Sequence, residues 1–344
     1  VPDRDGASVP DLDGASVPDL DAASVPDLEA AVTALGTATS VTVLCHINPD
    51  ADSLGSGLAL ALALRGRAIA VQVAFAEPDD VPVSMRSLPG VEFVVPADEV
   101  AREVDLLVTV DCASAGRLGS LRDRLDGART TLVIDHHRSN VHFGALNVID
   151  PAAESTTSVV ARLLDALDIP IDRAIAHCLF AGLVTDTGSF RWVQPGTHRF
   201  ADRLLDTGID GAEITRELLD THPFGWLPML SRVLGSARLV PEAHGGAGLV
   251  YAVVRTEDTT GLRSEEVESV IDIVRTTSEA VIAAVLKQSG DGSPQWSVSL
   301  RSRDGVDVGS IATGLGGGGH RFAAGYTAYG SAEDVVADLR LALD

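Results

Sequence analysis

Three apolar runs of strand length break off into acids and histidines, and this repeated ending constrains the fold more than any other feature of the chain. "VTVLCHINPDADS" (residues 41–53) ends in His46, Asp50 and Asp52, "VDLLVTVDCAS" (104–114) in Asp111, and "TLVIDHHRSN" (131–140) in Asp135, His136 and His137. Continuous rather than alternating apolar runs mark strands covered on both faces. Separated by helix-length segments, they predict an α/β chain with a parallel sheet. In such a sheet the carboxyl ends of the strands share one edge, and ligands bind there. The three endings therefore converge. Asp186, in "AGLVTDTGSFR" at the end of an apolar helical stretch, is a fourth candidate.

The pattern predicts strands in "VTVLC", "AIAVQVAF", "VEFVV", "VDLLVTVD" and "TLVID", with helices over residues 53–65 and 115–125. Helices dominate from residue 156 to about 234, and "THPFGWLPML" (221–230), with two prolines and a glycine, reads as a connector. Beyond it "GLVYAVVR", "EAVIAAVLKQ" and "QWSVSLRS" read as strands, "SEEVESVIDIVR" as one amphipathic helix, and "GSIATGLGGGGHRFAAG" as helix, glycine loop and short helix. A final strand and the helix "AEDVVADLRLAL" close a second, smaller α/β domain with a mixed sheet. The expected layout is a tail over 1–32, a first domain over 33–215, a connector over 216–234 and a second domain over 235–344.

The tail is an octapeptide repeat, VPDRDGAS, VPDLDGAS, VPDLDAAS, VPDLEAAV, whose eight acids and one arginine supply −7 of the net charge of −23. Proline in every unit and few large apolar groups predict a disordered extension, with Asp27 capping the first helix. A surface this acidic repels bulk nucleic acid and anionic membranes, so a phosphate-bearing substrate must be held locally. The three cysteines form no CxxC pair and read as small buried hydrophobes of a reducing cytosol. The longest apolar stretch, "LALALAL", is too short to span a bilayer, and the acidic repeat has no apolar leader character; the expectation is a cytoplasmic chain.

Each acid or histidine taken singly has a structural reading, as a helix cap or a strand-end hydrogen bond. Taken together they do not: four carboxylates and two or three imidazoles on one sheet edge repel one another unless cations neutralise them. Two divalent ions would bring +4 against the −4 of Asp50, Asp52, Asp111 and Asp186.

In this order, "HINPDAD", "VDCAS", "IDHH" and "TDTGSFR" resemble the motifs of the DHH phosphoesterase superfamily, and "SLRS…GGGGHRFAAG" resembles the DHHA1 domain that follows them in one branch. The resemblance covers roughly residues 35–344. It is nearest to the bacterial bifunctional oligoribonucleases that also act as 3′-phosphoadenosine-5′-phosphate (pAp) phosphatases, some actinobacterial relatives of which degrade cyclic di-AMP and its linear product pApA. It implies two Mn²⁺ ions, with Mg²⁺ or Co²⁺ as substitutes. His46, Asp50 and Asp111 would hold one; Asp52, Asp111, His136 and Asp186 the other. It implies further that activated hydroxide attacks phosphorus, that Asp135 orients an imidazole and that His137 faces the substrate. A strand-end cap competes as the reading of Asp135.

In the second domain Arg301, Gly317, Gly318, Gly319 and His320 would bind a phosphorylated nucleotide, and Arg191 is a phosphate clamp or a surface ion-pairing residue. Short RNA, pAp, pApA and cyclic di-AMP are the substrates implied, and a homodimer the assembly. An inorganic pyrophosphatase of the DHH type and a RecJ-like single-strand exonuclease are the alternatives.

Overall fold

A computed structural model describes residues 27–67, 69–289, 294–303 and 305–343. The first 26 residues of the repeat, and with them the expectation of disorder, lie outside the described residues. Sheet A is parallel, with β1 (Ser40–Leu44), β2 (Ala70–Ala74), β3 (Val104–Val110), β4 (Ala128–Asp135) and β5 (Leu146–Ile149) in the order β2-β1-β3-β4-β5. From β1 the chain steps to β2 on one side and then crosses to β3 on the other. The winding reverses between β1 and β3, which opens a crevice at their carboxyl ends.

Helices α1 (Leu28–Thr37), α2 (Ala51–Arg65), α3 (Thr156–Ala166), α4 (Arg173–Asp186), α5 (Thr197–Leu205) and α6 (Gly211–Leu219) build the rest of the first core. Thirteen of the fifteen residues of α2 are buried, so it is an interior helix apolar all round rather than an amphipathic one. It begins two residues before the predicted start, because Asp50 is its N-cap and accepts from the Ser53 N–H at 2.9 Å. Two glycines let α2 and α4 touch: a Cβ on Gly55 would lie 2.5 Å from the Cys178 carbonyl oxygen, and one on Gly182 would lie 2.6 Å from Asp52 Oδ1.

Several expectations are corrected. "VEFVV" is a turn, with a 3₁₀ segment at Val91–Phe93 and a single bridge from Val94 to Val73; Gly90, at φ 88°, starts it. Residues 115–125 are not α-helical but part of a 3₁₀ run, Ala115–Gly127, broken at Gly119 (φ 57°, ψ −133°). Its buried side chains, Leu118, Leu121 and Arg124, recur every three residues, the period of the tighter helix. The two leucines cover the face of sheet A opposite α2. Strand β5 was not anticipated. Asp27 makes no side-chain cap on α1, and its carboxylate accepts from the Asn147 N–H instead.

The second core is built on a mixed sheet B, in the order β10-β11-β9-β8-β7-β6, from β6 (Arg238–Val240), β7 (Leu249–Val254), β8 (Ile282–Gln288), β9 (Gln295–Ser302), β10 (Gly318–His320) and β11 (Ala323–Tyr329). Only β7 and β8 among these pairs run parallel. Helix α7 (Trp226–Gly235), the turn α8 (Ala243–Gly246), and α9 (Ser264–Glu268) and α10 (Val270–Val274), which divide the predicted single helix at Ser269, pack with α11 (Val308–Gly314) and α12 (Ala332–Leu343) around it.

The expected glycine loop and short helix are a hairpin, β10 and β11. "AAGYTAY" buries alternate residues, a period of two that a helix cannot use. Lys287, the only lysine of the chain, is buried on β8, where its ammonium donates to Ser299 Oγ at 2.8 Å and pairs with Glu268. All three cysteines are buried and free, and no helix among the described residues is long and apolar enough to cross a membrane.

Candidate metal centre

The crevice between β1 and β3 holds the cluster. His46 follows β1, Asp111 follows β3, and Asp135 ends β4 with His136 and His137 just beyond it. Asp50 and Asp52 come from the start of α2, and Asp186 from the last residue of α4. All the first-domain residues expected from the three strand ends, with Asp186, are thus brought together.

Asp111 lies at the middle. Its Oδ2 is 3.3 Å from His46 Nε2, and its Oδ1 is 3.7 Å from His136 Nε2. His46 Nε2 also lies 3.6 Å from Asp50 Oδ2, while His136 Nε2 lies 3.2 Å from Asp186 Oδ2 and 3.9 Å from Asp52 Oδ2. Ligand atoms of His46, Asp50 and Asp111 fall within 4.8 Å of one another, as do those of Asp52, Asp111 and His136. Asp111 has φ 59°, a left-handed backbone that a non-glycine residue adopts at a cost, held by its N–H donating to the Ile134 carbonyl.

Both imidazoles have their tautomer set from behind. His46 Nδ1 lies 2.8 Å from the Ile47 carbonyl and His136 Nδ1 lies 3.2 Å from the Ala153 carbonyl, so each Nδ1 donates and each Nε2 is turned toward the carboxylates. A lone pair facing carboxylate oxygens needs a cation between, proton or metal. His136 Nε2 is buried and has no hydrogen-bond partner.

The charges say the same. Burial raises the Asp52 carboxyl well above the carboxylate range, with the Asp186 and Asp111 charges adding to it, and burial also raises Asp186. Asp111 is held low against burial by its bond to His46 and the charges of His137, His46 and His136. His46 is pushed up to about 10, against burial, by Asp50 and Asp111. Without a metal, protons must sit in this cluster; a pair of divalent cations removes that need. The mixed carboxylate and imidazole set suits a hard or borderline divalent ion.

Supporting contacts surround the cluster. Asp52 accepts from the Thr156 and Thr157 N–H groups at 2.6 and 2.9 Å, at the start of α3 where the helix dipole favours an anion. Thr156 Oγ1 donates to Asp111 Oδ1 at 2.8 Å. Asp135 accepts from the His136 and His137 N–H groups, pairs with His137 Nδ1 at 2.7 Å and accepts from Asn140 at 2.6 Å. It therefore both finishes the strand and orients an imidazole. Thr156, Thr157 and Asn140 were not anticipated. The "ESTTS" run at the start of α3 carried a helix-start signal, but nothing in it tied that helix to Asp52.

The second domain reaches in with one side chain. His320, at the hairpin tip, stacks on His137 with ring centroids 4.3 Å apart and planes 18° apart, and lies 5.0 Å from His136. Arg301 stands across β11 from it in register, through Ala323, and is neither ion-paired nor bonded beyond its own Leu300 carbonyl among the described residues. Gly317 serves packing: its N–H donates to the Ala312 carbonyl, and a Cβ there would lie 2.1 Å from the Gly325 oxygen. Gly318 and Gly319 lie in β10. Arg191 is exposed in the turn after α4, with no side-chain partner among the described residues, and is not drawn into the cluster.

A two-domain α/β protein with a carboxylate–imidazole cluster at its switch point is the class that fold and site define. Residues 40–183 match the DHH family N-terminal domain and residues 246–344 the DHHA1 domain. The chain is 32% identical to the bifunctional oligoribonuclease and PAP phosphatase NrnA of Thermus thermophilus, over 84% of each chain. It is 28% identical to the cyclic-di-AMP phosphodiesterase GdpP of Geobacillus thermodenitrificans, over 64% of this chain and 33% of that protein. An exopolyphosphatase-related protein from Bacteroides fragilis shares the fold at a TM-score of 0.80 and 22% identity, over 92% of this chain and 95% of that one. The chain belongs to the DHH phosphoesterase family, as a DHH–DHHA1 member.

Proposed function

We propose that the chain is a two-metal phosphoesterase that hydrolyses short oligoribonucleotides such as pApA to mononucleotides and pAp to AMP, with cyclic di-AMP as a further substrate and Mn²⁺ as the resident ion. The observation that carries this reading is the pair of Nε2 atoms, on His46 and His136, set on either side of Asp111. The name of the Thermus relative supports the substrate class, and that of GdpP supports cyclic di-AMP. His46, Asp50 and Asp111 hold one ion and Asp52, Asp111, His136 and Asp186 the other. Ions bound there supply Lewis acidity, which lowers the pKa of water and offsets phosphoryl charge.

The chain's own residues do the rest. Asp135 fixes the ring of His137, whose Nε2 is left for a phosphoryl oxygen or the leaving oxygen. Arg301 and His320 hold the 5′-phosphorylated nucleotide so that the bond between its 3′ oxygen and phosphorus meets the cluster. Arg191 is near enough in sequence to Asp186 to meet a phosphate from the solvent side. In this reading residues 33–215 are catalytic, 216–234 connect and 235–344 choose the substrate. The family resemblance supports a cytoplasmic homodimer.

The test is Mn²⁺-dependent hydrolysis of pAp, pApA, a five-nucleotide RNA, cyclic di-AMP and pyrophosphate side by side. Turnover of pAp and pApA, lost on chelation, is expected; cleavage of pyrophosphate alone would refute the reading.

A further inference from the structure

The buried ammonium of Lys287 has no part in the chemistry above, yet sheet B places it beside Arg301. Ser297, Ser299 and Arg301 alternate along β9 with Trp296, Val298 and Leu300. The last three enter the second core, so the first three share the opposite face. The register carries that face across the sheet. Ser299 stands opposite Val285 of β8 and Gly325 of β11, and Gly325 stands opposite Gly318 of β10. One step along the same face, Arg301 stands opposite Ala283 and Ala323, with His320 beyond Ala323. Ser299 and Arg301 are therefore about 7 Å apart along the strand. Between them and His320 the floor is only Gly325, Gly318 and Ala323. A Cβ on Gly318 would meet nothing within 4 Å, so this row is open above the sheet.

Lys287 reaches Ser299 diagonally across the β8–β9 ladder. Its Nζ donates to Ser299 Oγ at 2.8 Å and pairs with Glu268 of α9. An ammonium has donors and no acceptor. It fills a lone pair of Ser299 and leaves the hydroxyl proton to be given away. The acceptor on that side, Glu268 Oε2, stands 3.4 Å from Ser299 Oγ, longer than a good O–H···O bond. The neighbouring Arg301 guanidinium has no anion among the described residues. A hydroxyl with a proton to donate and an unpaired cation, over an open glycine floor, form a seat for an anion.

Resting on the proposed function, we propose that Ser299 is a second donor to the substrate phosphate that Arg301 holds, and that Lys287 is the positioning residue that leaves its hydroxyl free to donate. In pApA that phosphate is the 5′ one; in cyclic di-AMP the second phosphodiester takes the same seat. A hydroxyl donating to an ionised phosphate makes a charge-assisted bond, and the ammonium behind it polarises it in the same sense.

The experiment measures KM and kcat on pApA, and on ApA as substrate or competitor, for wild type, S299A, S299T, K287M and the double variant K287M/S299A. Melting temperatures check folding. S299A should raise KM for pApA about ten-fold, the scale of one bond to a charged group, with kcat and the behaviour of ApA unchanged. S299T should keep the wild-type KM. K287M should show the same selective loss on pApA, and adding it to S299A should cost nothing further, because the ammonium acts through the hydroxyl. An unchanged KM for pApA in S299A, or an equal loss on pApA and ApA, would overturn the proposal. Additive losses in the double variant would overturn the role of Lys287, and where K287M fails to fold, S299A and S299T decide. Wild type inactive on both pApA and pAp would instead refute the proposed function.

Discussion

Asp111 carries two demands in one residue: a carboxylate shared between two imidazoles and a backbone at φ 59°. Asparagine tolerates that backbone and keeps the size but loses the charge; alanine loses both the charge and the tolerance. If the proposed function holds, Asp111→Asn should therefore fold, lose turnover on pApA by about 10³-fold, and lose the rise in melting temperature expected of the wild type on adding Mn²⁺. Asp111→Ala should in addition unfold more easily by about 1 kcal/mol, from the left-handed backbone. Thermal melts of both variants with and without Mn²⁺ separate the two effects.

This residue was legible in the sequence because an apolar run ended on it, and so were His46, Asp135, His136 and His137. Asp52 was legible as an acid near a helix start, but its bonds to Thr156 and Thr157 join residues about a hundred positions apart, which no local pattern records.

At the scale of elements, the cluster depends on how closely α2 lies against α4. Gly182 stands under Asp52, with Asp52 Oδ1, its Cα and Thr157 Cγ2 all under 3.0 Å from the place of a Cβ. The Asp52 Cα is a backbone atom that cannot swing aside, and Asp52 Oδ1 is held by the Thr157 N–H. Gly182→Ala should push α2 off α4, destabilise by about 1–3 kcal/mol as overpacking does, and weaken Mn²⁺ binding by moving Asp52. Urea unfolding and calorimetric titration with Mn²⁺ would read the two losses; a variant with wild-type stability and affinity would show that the helices can part freely.

The strands β3, β4 and β9 and the closing helix α12 were read correctly from their residue patterns. The misreadings share a cause. "VEFVV" has strand composition but only one backbone bridge, and "AGRLGSLRDRLDG" has helix-like leucines but three glycines and a period of three. "LNVI" was too short to stand out. In each case the neighbouring chain decided the outcome, not the segment's own propensity.

In the whole molecule the domains are joined through a polar junction. Glu266, at the start of α9 and fully buried, accepts from Arg263 N–H and Nε–H at 2.8 and 3.0 Å and lies 3.7 Å from His222 of the connecting segment, whose ring stacks on Trp226. Ser84 of the first domain bonds the adjacent Glu265. Burial alone would raise the Glu266 carboxyl, but its bonds to Arg263 and the charges of Arg263 and His222 hold it below the usual glutamate value. A carboxyl lower in the folded than in the unfolded chain leaves the unfolded chain holding more protons. Its contribution is complete above the unfolded value and fades as pH falls through the folded one.

Glu266→Gln should therefore cost about 1–3 kcal/mol near neutral pH, the range for a bond to a charged group, with a shrinking penalty below roughly pH 4. Melting temperatures of both proteins across that range test it, and a gap that widened on acidification would contradict the assignment. The layout of two cores was visible in the sequence as a change of rhythm after the connector; that the second core touches the first through His320 was not, since contact between domains leaves no periodic trace.

The lone ε-amine has a practical consequence. Lys287 lies inside sheet B, engaged by a hydroxyl and a carboxylate, and no other side chain in the protein offers that chemistry. Acylating reagents should find it silent while the sheet is intact and reactive once the strands part, so the appearance of an adduct on Lys287 itself, apart from any at the terminal α-amine, would serve as a clock for the opening of this half of the protein.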